Sequence, residues 1–192
     1  MSPISLFGVS ARPASPNPCA RTRADFLDEG AAEYVGVDAS EGMLAQAPRL
    51  EGARFVHGDI ARLPGGLGAF DLVFVCLVLE HLEDVGPVLR AAARANRPGG
   101  RFRAYGLHAA RRRAGTCAHF RLNDGRQIEL ASFAHDAQEL SAGLEAAGYD
   151  DLATRDWCAT PDACARCTKL ARYAGEPVLI EVSARRSTRP PT

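Results

Sequence analysis

The sequence predicts an α/β domain built on a mostly parallel β-sheet. Three runs of β-branched or aromatic residues, each ending in a polar residue, recur along the chain: Tyr34–Asp38, Phe55–Asp59 and Phe70–Cys76. A short helical segment separates the first two runs, and a longer one follows the third. Strands that alternate with helices in this way indicate βαβ units. The third run is almost entirely apolar, which is typical of a central strand buried on both faces.

The ends of these three runs predict a ligand-binding site. Asp38, Asp59 and Cys76 stand where the chain leaves successive strands or shortly beyond. In open parallel sheets, ligands bind beyond the carboxyl ends of the strands. We therefore expect the three residues to lie at one edge of the sheet and to border a common site.

Length and composition describe one domain without a dominant charge. The 192 residues are enough to bury a substantial core without disulfide support. With 23 basic and 23 acidic residues, no overall field attracts nucleic acid or an anionic membrane, and we expect neither as a partner. No apolar run approaches the roughly 20 residues of a membrane span, and no signal-peptide pattern opens the chain. We expect a cytoplasmic protein with reduced cysteines.

The first 19 residues differ in composition from those that follow. They are rich in proline and serine, and Pro13, Pro16 and Pro18 lack amide donors and restrict the residues before them. A brief strand at Ile4–Val9 is compatible with the pattern, but a helix after it is not. The expected division of the chain is 1–19 as an irregular segment, 20–186 as the folded domain and 187–192 as a frayed tail.

Local signals predict the remaining elements. Caps and apolar spacing place helices at 20–29, between Ser40 and Pro48, at 85–95, and between Asp136 and Gly148. Strands are expected at 33–38, 53–57, 70–76, 101–105, 152–157 and 177–183, the last two antiparallel at the sheet edge. Asn123-Asp124-Gly125 predicts a hairpin turn. The arginines at 111–113 are expected in a solvated basic loop, although they could also clamp an acidic substrate.

Four motifs follow one another in a set order: Val35–Leu44 (VGVDASEGML), Phe55–Ile60 (FVHGDI), Phe70–Leu82 (FDLV through LEHL) and Arg97–Phe102 (RPGGRF). Together they resemble the class I S-adenosylmethionine-dependent methyltransferases, particularly the small bacterial single-domain kind. The resemblance extends from about residue 25 to residue 186. It implies a three-layer Rossmann-like methyltransferase sandwich with an antiparallel last strand. It also implies S-adenosyl-L-methionine as the cofactor and a small molecule as the substrate.

The resemblance implies roles for individual residues around the nucleoside part of the cofactor. Asp38 would accept hydrogen bonds from both ribose hydroxyls, which is a charge-assisted pairing. Ala39 and Met43 would border the adenine. Asp59 would accept a hydrogen bond from the adenine amino group, and the Ile60 side chain would pack on the face of the ring.

The resemblance also implies a substrate side. Cys76 would lie beside the methionine moiety through its backbone, and His81 would face the substrate cavity, where it is a candidate to remove a proton from the acceptor. Alignment of the nucleophile with the methyl group does most of the catalytic work in such a reaction. His119 and His135 bracket the hairpin and are further candidates for the substrate side. Ordinary hydrogen bonding at the protein surface remains the alternative for all three histidines.

Cys158, Cys164 and Cys167 raise the question of a metal site. Their spacing is C-x5-C-x2-C, which contains one C-x-x-C and no second pair. Structural zinc sites usually have four ligands in two matched pairs. We therefore expect an ordinary helix with reduced cysteines here, and no metal.

One departure from the family pattern concerns the segment after the first strand, which normally carries an acidic residue and a glycine-rich turn. Counting back from Asp38 places this turn near Ser15–Ala20, where there is no glycine. The first strand is therefore expected to be degenerate and cofactor binding to be impaired. Two classes stay open, an active methyltransferase and a non-catalytic, degenerate or truncated methyltransferase-like binding domain. A nicotinamide dehydrogenase is disfavoured because it also needs a glycine fingerprint. The methyl acceptor and the oligomeric state are left open.

Overall fold

A computed structural model describes residues 4–10, 31–45, 51–63, 67, 69–116, 119–121 and 124–189. Its strands are β1 (Ile4–Ser10), β2 (Ala31–Asp38), β3 (Ala53–His57), β4 (Phe70–Cys76), β5 (Asn96–Leu107), β6 (His119–Arg121), β7 (Gln127–Glu129), β8 (Tyr149–Cys158) and β9 (Pro177–Arg186). Its α-helices are α1 (Glu41–Ala45), α2 (Gly86–Ala95), α3 (Ala109–Arg113), α4 (Ala137–Ala146) and α5 (Pro161–Arg166). Single 3₁₀ segments occupy Ile60–Arg62, Leu79–His81 and Thr168–Tyr173.

Seven of the strands form one sheet in the order β3-β2-β1-β4-β5-β9-β8. The pairs from β3 to β5 are all parallel, and β9 runs antiparallel to both β5 and β8. The expected Rossmann-like α/β fold, with a mostly parallel sheet and an antiparallel last strand, is thus confirmed. The two strands expected to flank Asn123-Asp124-Gly125 are also present, as the separate antiparallel sheet of β6 and β7, while Asn123 itself lies outside the described residues.

The first strand differs from the expectation of a degenerate strand in an irregular segment. β1 lies in the middle of the sheet and pairs in parallel with β2 through residues 4–9 and with β4 through residues 6–10. The strand that the sequence allowed at Ile4–Val9 is therefore present within the segment 1–19 that was expected to be irregular. Because β1 ends at Ser10, the connection to β2 begins at residue 11, before the Ser15–Ala20 position obtained by counting back from Asp38. The rest of that connection, with the helix expected at 20–29, lies outside the described residues.

Helices α2 and α4 cover one face of the sheet, where the main hydrophobic core lies. Leu89 from α2 and Leu140 and Leu144 from α4 are each no more than 3% exposed. They pack with valines from the strands, namely Val35, Val37, Val73 and Val75. Asp136 caps α4 as expected, since its Oδ1 accepts a hydrogen bond from the Glu139 amide at 3.0 Å.

One part of the chain differs from the sequence expectation, and another, the cysteine-containing segment, agrees with the helix expected there. The arginines at 111–113 lie in a helix, α3, because the His108 side chain accepts a hydrogen bond from the Ala110 amide and caps its start. The cysteine-containing segment between β8 and β9 also folds, as α5 and the 3₁₀ segment Thr168–Tyr173. Among the helices of the described residues, none is long and apolar enough to cross a membrane.

Candidate functional site

The carboxyl ends of the parallel strands form a continuous edge. Backbone pairing places Asp38 at the end of β2 opposite His57 at the end of β3. On the other side, Cys76 at the end of β4 lies between Ser10 of β1 and Tyr105 of β5. The structure therefore brings the polar strand ends to one edge, as the sequence predicts.

Asp38 is held in a defined orientation at this edge. Its Oδ1 accepts a hydrogen bond from the Ser40 amide at 2.8 Å, and its carbonyl oxygen accepts one from the Gly58 amide at 3.1 Å. Partial burial raises the pKa of the Asp38 carboxyl, while the Ser40 amide and nearby His57 act in the opposite direction. A half-buried carboxylate in a fixed orientation at a strand end can accept hydrogen bonds from the hydroxyl groups of a ligand.

Ala39 directly follows Asp38 and precedes α1, and Met43 lies within this helix. Ser40 caps this short helix, because its Oγ accepts a hydrogen bond from the Met43 amide at 3.3 Å. The Ala39 carbonyl oxygen lies 3.1 Å from Nε2 of His57, so the segment after β2 is tied to the end of β3. Ala39 is exposed and Met43 is half-buried.

Asp59 and Ile60 follow β3 beside the Asp38 segment. Oδ1 of Asp59 accepts a hydrogen bond from the Ala61 amide at 2.8 Å, which caps the 3₁₀ segment Ile60–Arg62. Asp59 is exposed, and Ile60 packs against the edge of the main core. The pair presents a carboxylate and an apolar side chain side by side.

The end of β4 contains a feature that the sequence motifs do not reveal. Leu77, directly after the half-buried Cys76, has a φ of 54°, a left-handed conformation that is unusual for a residue other than glycine. Its amide donates a hydrogen bond to the Tyr105 carbonyl oxygen at 2.7 Å. Such conformations occur often at functional sites, and here the turn directs the chain from β4 into the segment that carries His81.

His81 lies at the end of the 3₁₀ segment that follows. Its Nδ1 is 3.0 Å from the Ala131 carbonyl oxygen, and among the described residues its Nε2 makes no hydrogen bond. Because a carbonyl oxygen only accepts, Nδ1 carries the proton in the neutral ring and Nε2 has an available lone pair. This arrangement leaves His81 able to accept a proton at Nε2.

His119 and His135, the other two histidines expected on the substrate side, lie in different environments. His119 is exposed in β6 of the hairpin, opposite Glu129. His135 is 6% exposed, with Nδ1 2.8 Å from a Glu139 carboxylate oxygen and Nε2 2.7 Å from the Leu82 carbonyl oxygen. A role for His135 in substrate binding would require its ring to leave both contacts.

The arginines of α3 are engaged in contacts within the protein. Arg111 pairs with Glu176 and lies over the ring of Tyr173 at 4.9 Å from its centre. The Nε of Arg112 donates to the Ser132 carbonyl oxygen at 2.6 Å, and Arg113 pairs with Asp136 at 3.6 Å. Each of the three side chains therefore has a partner within the protein, a carboxylate for Arg111 and Arg113 and a backbone carbonyl for Arg112.

Cys158, at the end of β8, and Cys164 and Cys167, in the segment that follows, form no disulfide with one another. Cys158 and Cys167 are exposed, and the Cys164 thiol lies 3.8 Å from the Ala159 carbonyl oxygen. Within the part of the chain that the structure describes, no three histidine, cysteine, aspartate or glutamate side chains are grouped so that they could hold a metal ion.

Comparison with known proteins gives matches in sequence and in structure. A family model described as a methyltransferase domain matches residues 20–104. A demethylmenaquinone methyltransferase of Mycolicibacterium vanbaalenii is 31% identical over 139 residues, which are 64% of this chain and 60% of the relative. An uncharacterized methyltransferase of Emericella nidulans is 28% identical over 139 residues, which are 62% of this chain and 48% of the relative. The chain thus matches only about half to three-fifths of the length of these curated relatives.

The fold is also found in solved structures. An S-adenosylmethionine-dependent methyltransferase from Mesorhizobium loti superposes with a TM-score of 0.75 at 20% identity, covering 95% of this chain and 91% of that one. At this level of identity the likeness concerns the fold. Its coverage nevertheless extends over nearly the whole chain, well beyond the residues that the family model matches.

Proposed function

We propose that the chain, which matches a methyltransferase domain model over residues 20–104 and has the fold of an S-adenosylmethionine-dependent methyltransferase, is a class I enzyme of this kind that transfers a methyl group from S-adenosyl-L-methionine to a small-molecule acceptor. The observation that carries this proposal is that two acidic residues follow adjacent strands at one sheet edge, Asp38 at the end of β2 and Asp59 just after β3. The segment with His81 follows the end of β4 at the same edge. Nucleoside binding and acceptor activation are then assigned to two neighbouring parts of one site.

The residues around β2 and β3 fit the nucleoside part of the cofactor. A ribose diol needs a carboxylate acceptor, which Asp38 supplies in a fixed orientation. A purine needs a polar partner at its edge and an apolar wall, which Asp59 and Ile60 supply side by side. Ala39 and Met43 complete the border on the α1 side. Cys76 would contribute its backbone at the end of β4.

When bound, S-adenosylmethionine supplies a methyl group already activated by the sulfonium, so the protein has mainly to align the acceptor and to manage one proton. His81 is suited to the second task. Its Nδ1 proton is held by the Ala131 carbonyl oxygen, and its Nε2 can take a proton from a hydroxyl or amine of the acceptor. His119 stays a candidate for contact with the acceptor.

We further propose that cofactor affinity is low. A glycine turn after the first strand allows close approach of the backbone to a ligand, and its amides provide donors for the carboxylate of the cofactor. Between Gly8 and Gly30 this chain has no glycine, and it has Pro13, Pro16 and Pro18 in that interval. Each proline removes a backbone donor and fixes φ near −65°.

The same interval supports the second candidate function, a non-catalytic methyltransferase-like binding domain. A fold of this kind does not by itself specify catalysis, because function depends on the residues of the site. If the donors for the cofactor carboxylate are missing, the sheet and the Asp38 site could persist as a scaffold for another ligand or partner. No nucleic acid partner is expected, and the cytoplasmic location stays a prediction from the sequence.

Calorimetric titration of the 192-residue chain with S-adenosylmethionine and with S-adenosylhomocysteine separates the two candidates. An enzyme with an impaired site should bind both weakly, at millimolar concentration, and should form S-adenosylhomocysteine when an acceptor is present. Reduced demethylmenaquinone is the first acceptor to test, because a relative is named for it. Absence of binding and of product formation at saturating cofactor would support the non-catalytic candidate instead.

A further inference from the structure

The segment that joins β7 to α4, residues 130–136, contacts each of the residues 80–82, and we call it the clasp. The Phe133 amide donates to the Glu80 carbonyl oxygen at 2.7 Å. The His135 ring lies 2.7 Å from the Leu82 carbonyl oxygen. The residue between them, His81, contacts the clasp through its own side chain, at the Ala131 carbonyl oxygen. The clasp therefore contacts the backbone on both sides of His81 as well as its ring.

The clasp is itself fixed from the side of α3. The Nε of Arg112 donates to the Ser132 carbonyl oxygen at 2.6 Å, one residue beyond the carbonyl that receives the His81 proton. Ser132 is 9% exposed, and its hydroxyl donates to the Leu130 carbonyl oxygen at 3.1 Å. An arginine that bonds to a backbone carbonyl through Nε restricts the rotation of the adjacent peptide units. Arg112 thus holds the peptide unit after Ser132, which is the neighbour of the unit that contains the Ala131 carbonyl.

From this chain of contacts we infer that Arg112 is a positioning residue for His81. It holds the clasp so that the Ala131 carbonyl oxygen selects the Nδ1–H form of the His81 ring, which leaves Nε2 facing outward as a proton acceptor. A carbonyl oxygen at this distance stabilises that form relative to the Nε2–H form, because only the Nδ1–H form can donate to it. The significance for methyl transfer rests on the proposed function, but the contact chain does not.

Long-range ¹H–¹⁵N correlation spectra of the histidine rings test the inference without any substrate. Comparison with His81→Gln identifies the His81 signals among those of the five histidines. The neutral His81 ring of the wild-type chain should be in the Nδ1–H form. Arg112→Met, which keeps the aliphatic stem but removes the donor, should shift His81 toward a mixture with the Nε2–H form. Arg112→Lys, which retains a donor, should restore part of the Nδ1–H signal.

Arg113→Met is the matched control. Arg113 belongs to the same helix and carries the same charge, but it pairs with the Asp136 side chain and not with the clasp backbone. This variant should leave the His81 form unchanged. A wild-type spectrum dominated by the Nε2–H form would overturn the inference even if Arg112→Met does not fold. An unchanged Nδ1–H signal in folded Arg112→Met would also overturn it.

Assays of product formation distinguish a failure of this inference from a failure of the proposed function. If product formation is detected, Arg112→Met should lower turnover roughly tenfold to a hundredfold, the scale for misplacing a catalytic group, with cofactor affinity unchanged. If no product forms with any acceptor, the proposed function fails while the spectra still decide whether Arg112 sets the state of His81. Equal turnover of Arg112→Met and the wild type would contradict the positioning role.

Discussion

The amide of Gly58 donates a hydrogen bond to the carbonyl oxygen of Asp38 at 3.1 Å, just beyond the last paired residues of β2 and β3. This bond joins the loop after β3 to the end of β2. It places Asp59, the next residue along the chain, beside the Asp38 segment. A placement of the two carboxylates on different edges of the sheet would have contradicted the sequence interpretation, and the structure excludes it.

Replacement of Asp38 by alanine should weaken S-adenosylmethionine binding by about 1.5–3 kcal/mol, the scale for hydrogen bonds to a charged group. The reason is that, in the proposed role, the Asp38 carboxylate accepts hydrogen bonds from the ribose hydroxyls, and alanine removes this acceptor. Calorimetric titration measures the change. Glu51→Ala, which removes an exposed carboxylate from the turn before β3, is the control and should leave affinity unchanged.

The affinity should also depend on pH through Asp38. Burial raises the pKa of this carboxyl above its ordinary value of 3.8, so on acidification it takes up a proton at a higher pH than an exposed aspartate would. Binding that requires the carboxylate should therefore be complete at neutral pH and decline as the pH falls toward the raised pKa. Titrations at several pH values measure this decline. An Asp38→Asn variant whose affinity declines over the same range would assign the effect to another group.

Replacement of His81 by alanine should spare cofactor binding and lower turnover by roughly 10²–10⁴-fold, the usual contribution of a positioned acid–base group. The reason is that, in the proposed role, Nε2 takes up a proton from the methyl acceptor, whereas His81 has no proposed contact with the cofactor. Parallel calorimetry and assays of S-adenosylhomocysteine formation separate the two effects. If His81→Ala and Asp38→Ala lose binding to the same extent, the assigned roles are wrong.

Replacement of Asn96 by alanine should lower the free energy of unfolding by about 1–3 kcal/mol. Asn96 is 4% exposed, donates to the Phe70 carbonyl oxygen at 3.0 Å and accepts from the Tyr149 hydroxyl at 3.2 Å. The variant leaves this hydroxyl buried without its acceptor, whereas Tyr149→Phe removes the hydroxyl itself and should cost less. Urea unfolding of both variants provides the comparison, and equal losses would contradict this account.

Much of the fold is predictable because local signals and buried strands coincide. β3 and β4 have the bounds expected from their apolar runs, and the Asp136 cap marks the start of α4. β5 is less predictable. It begins at Asn96, before the expected 101–105, because Asn96 pairs with Phe70 of β4. The residues 98–100, which read locally as a Pro-Gly-Gly loop, lie in the register shift between this pair and the pair of Leu72 with Arg101.

The candidate site is likewise predictable from the sequence only in part. The positions of Asp38 and Asp59 are predictable because each comes at or just after the end of a strand that the sequence indicates. The contacts of His81 depend on the clasp, about 50 residues further along the chain, and no local pattern indicates that Ala131 would direct its carbonyl oxygen to that ring. The helical state of the 111–113 arginines likewise depends on the cap by His108, a residue that the sequence does not mark as a cap.

The central position of β1 has a consequence for the order in which the protein can assemble. β1 precedes the other strands described along the chain, yet one of its two partners, β4, ends only at Cys76. During synthesis the middle of the sheet therefore cannot close until the chain beyond that residue has emerged. Until then the strands already made present open edges, which are the sites at which sheets pair with other chains. Completion of this fold is accordingly a late, long-range event, set by loop closure more than by local structure.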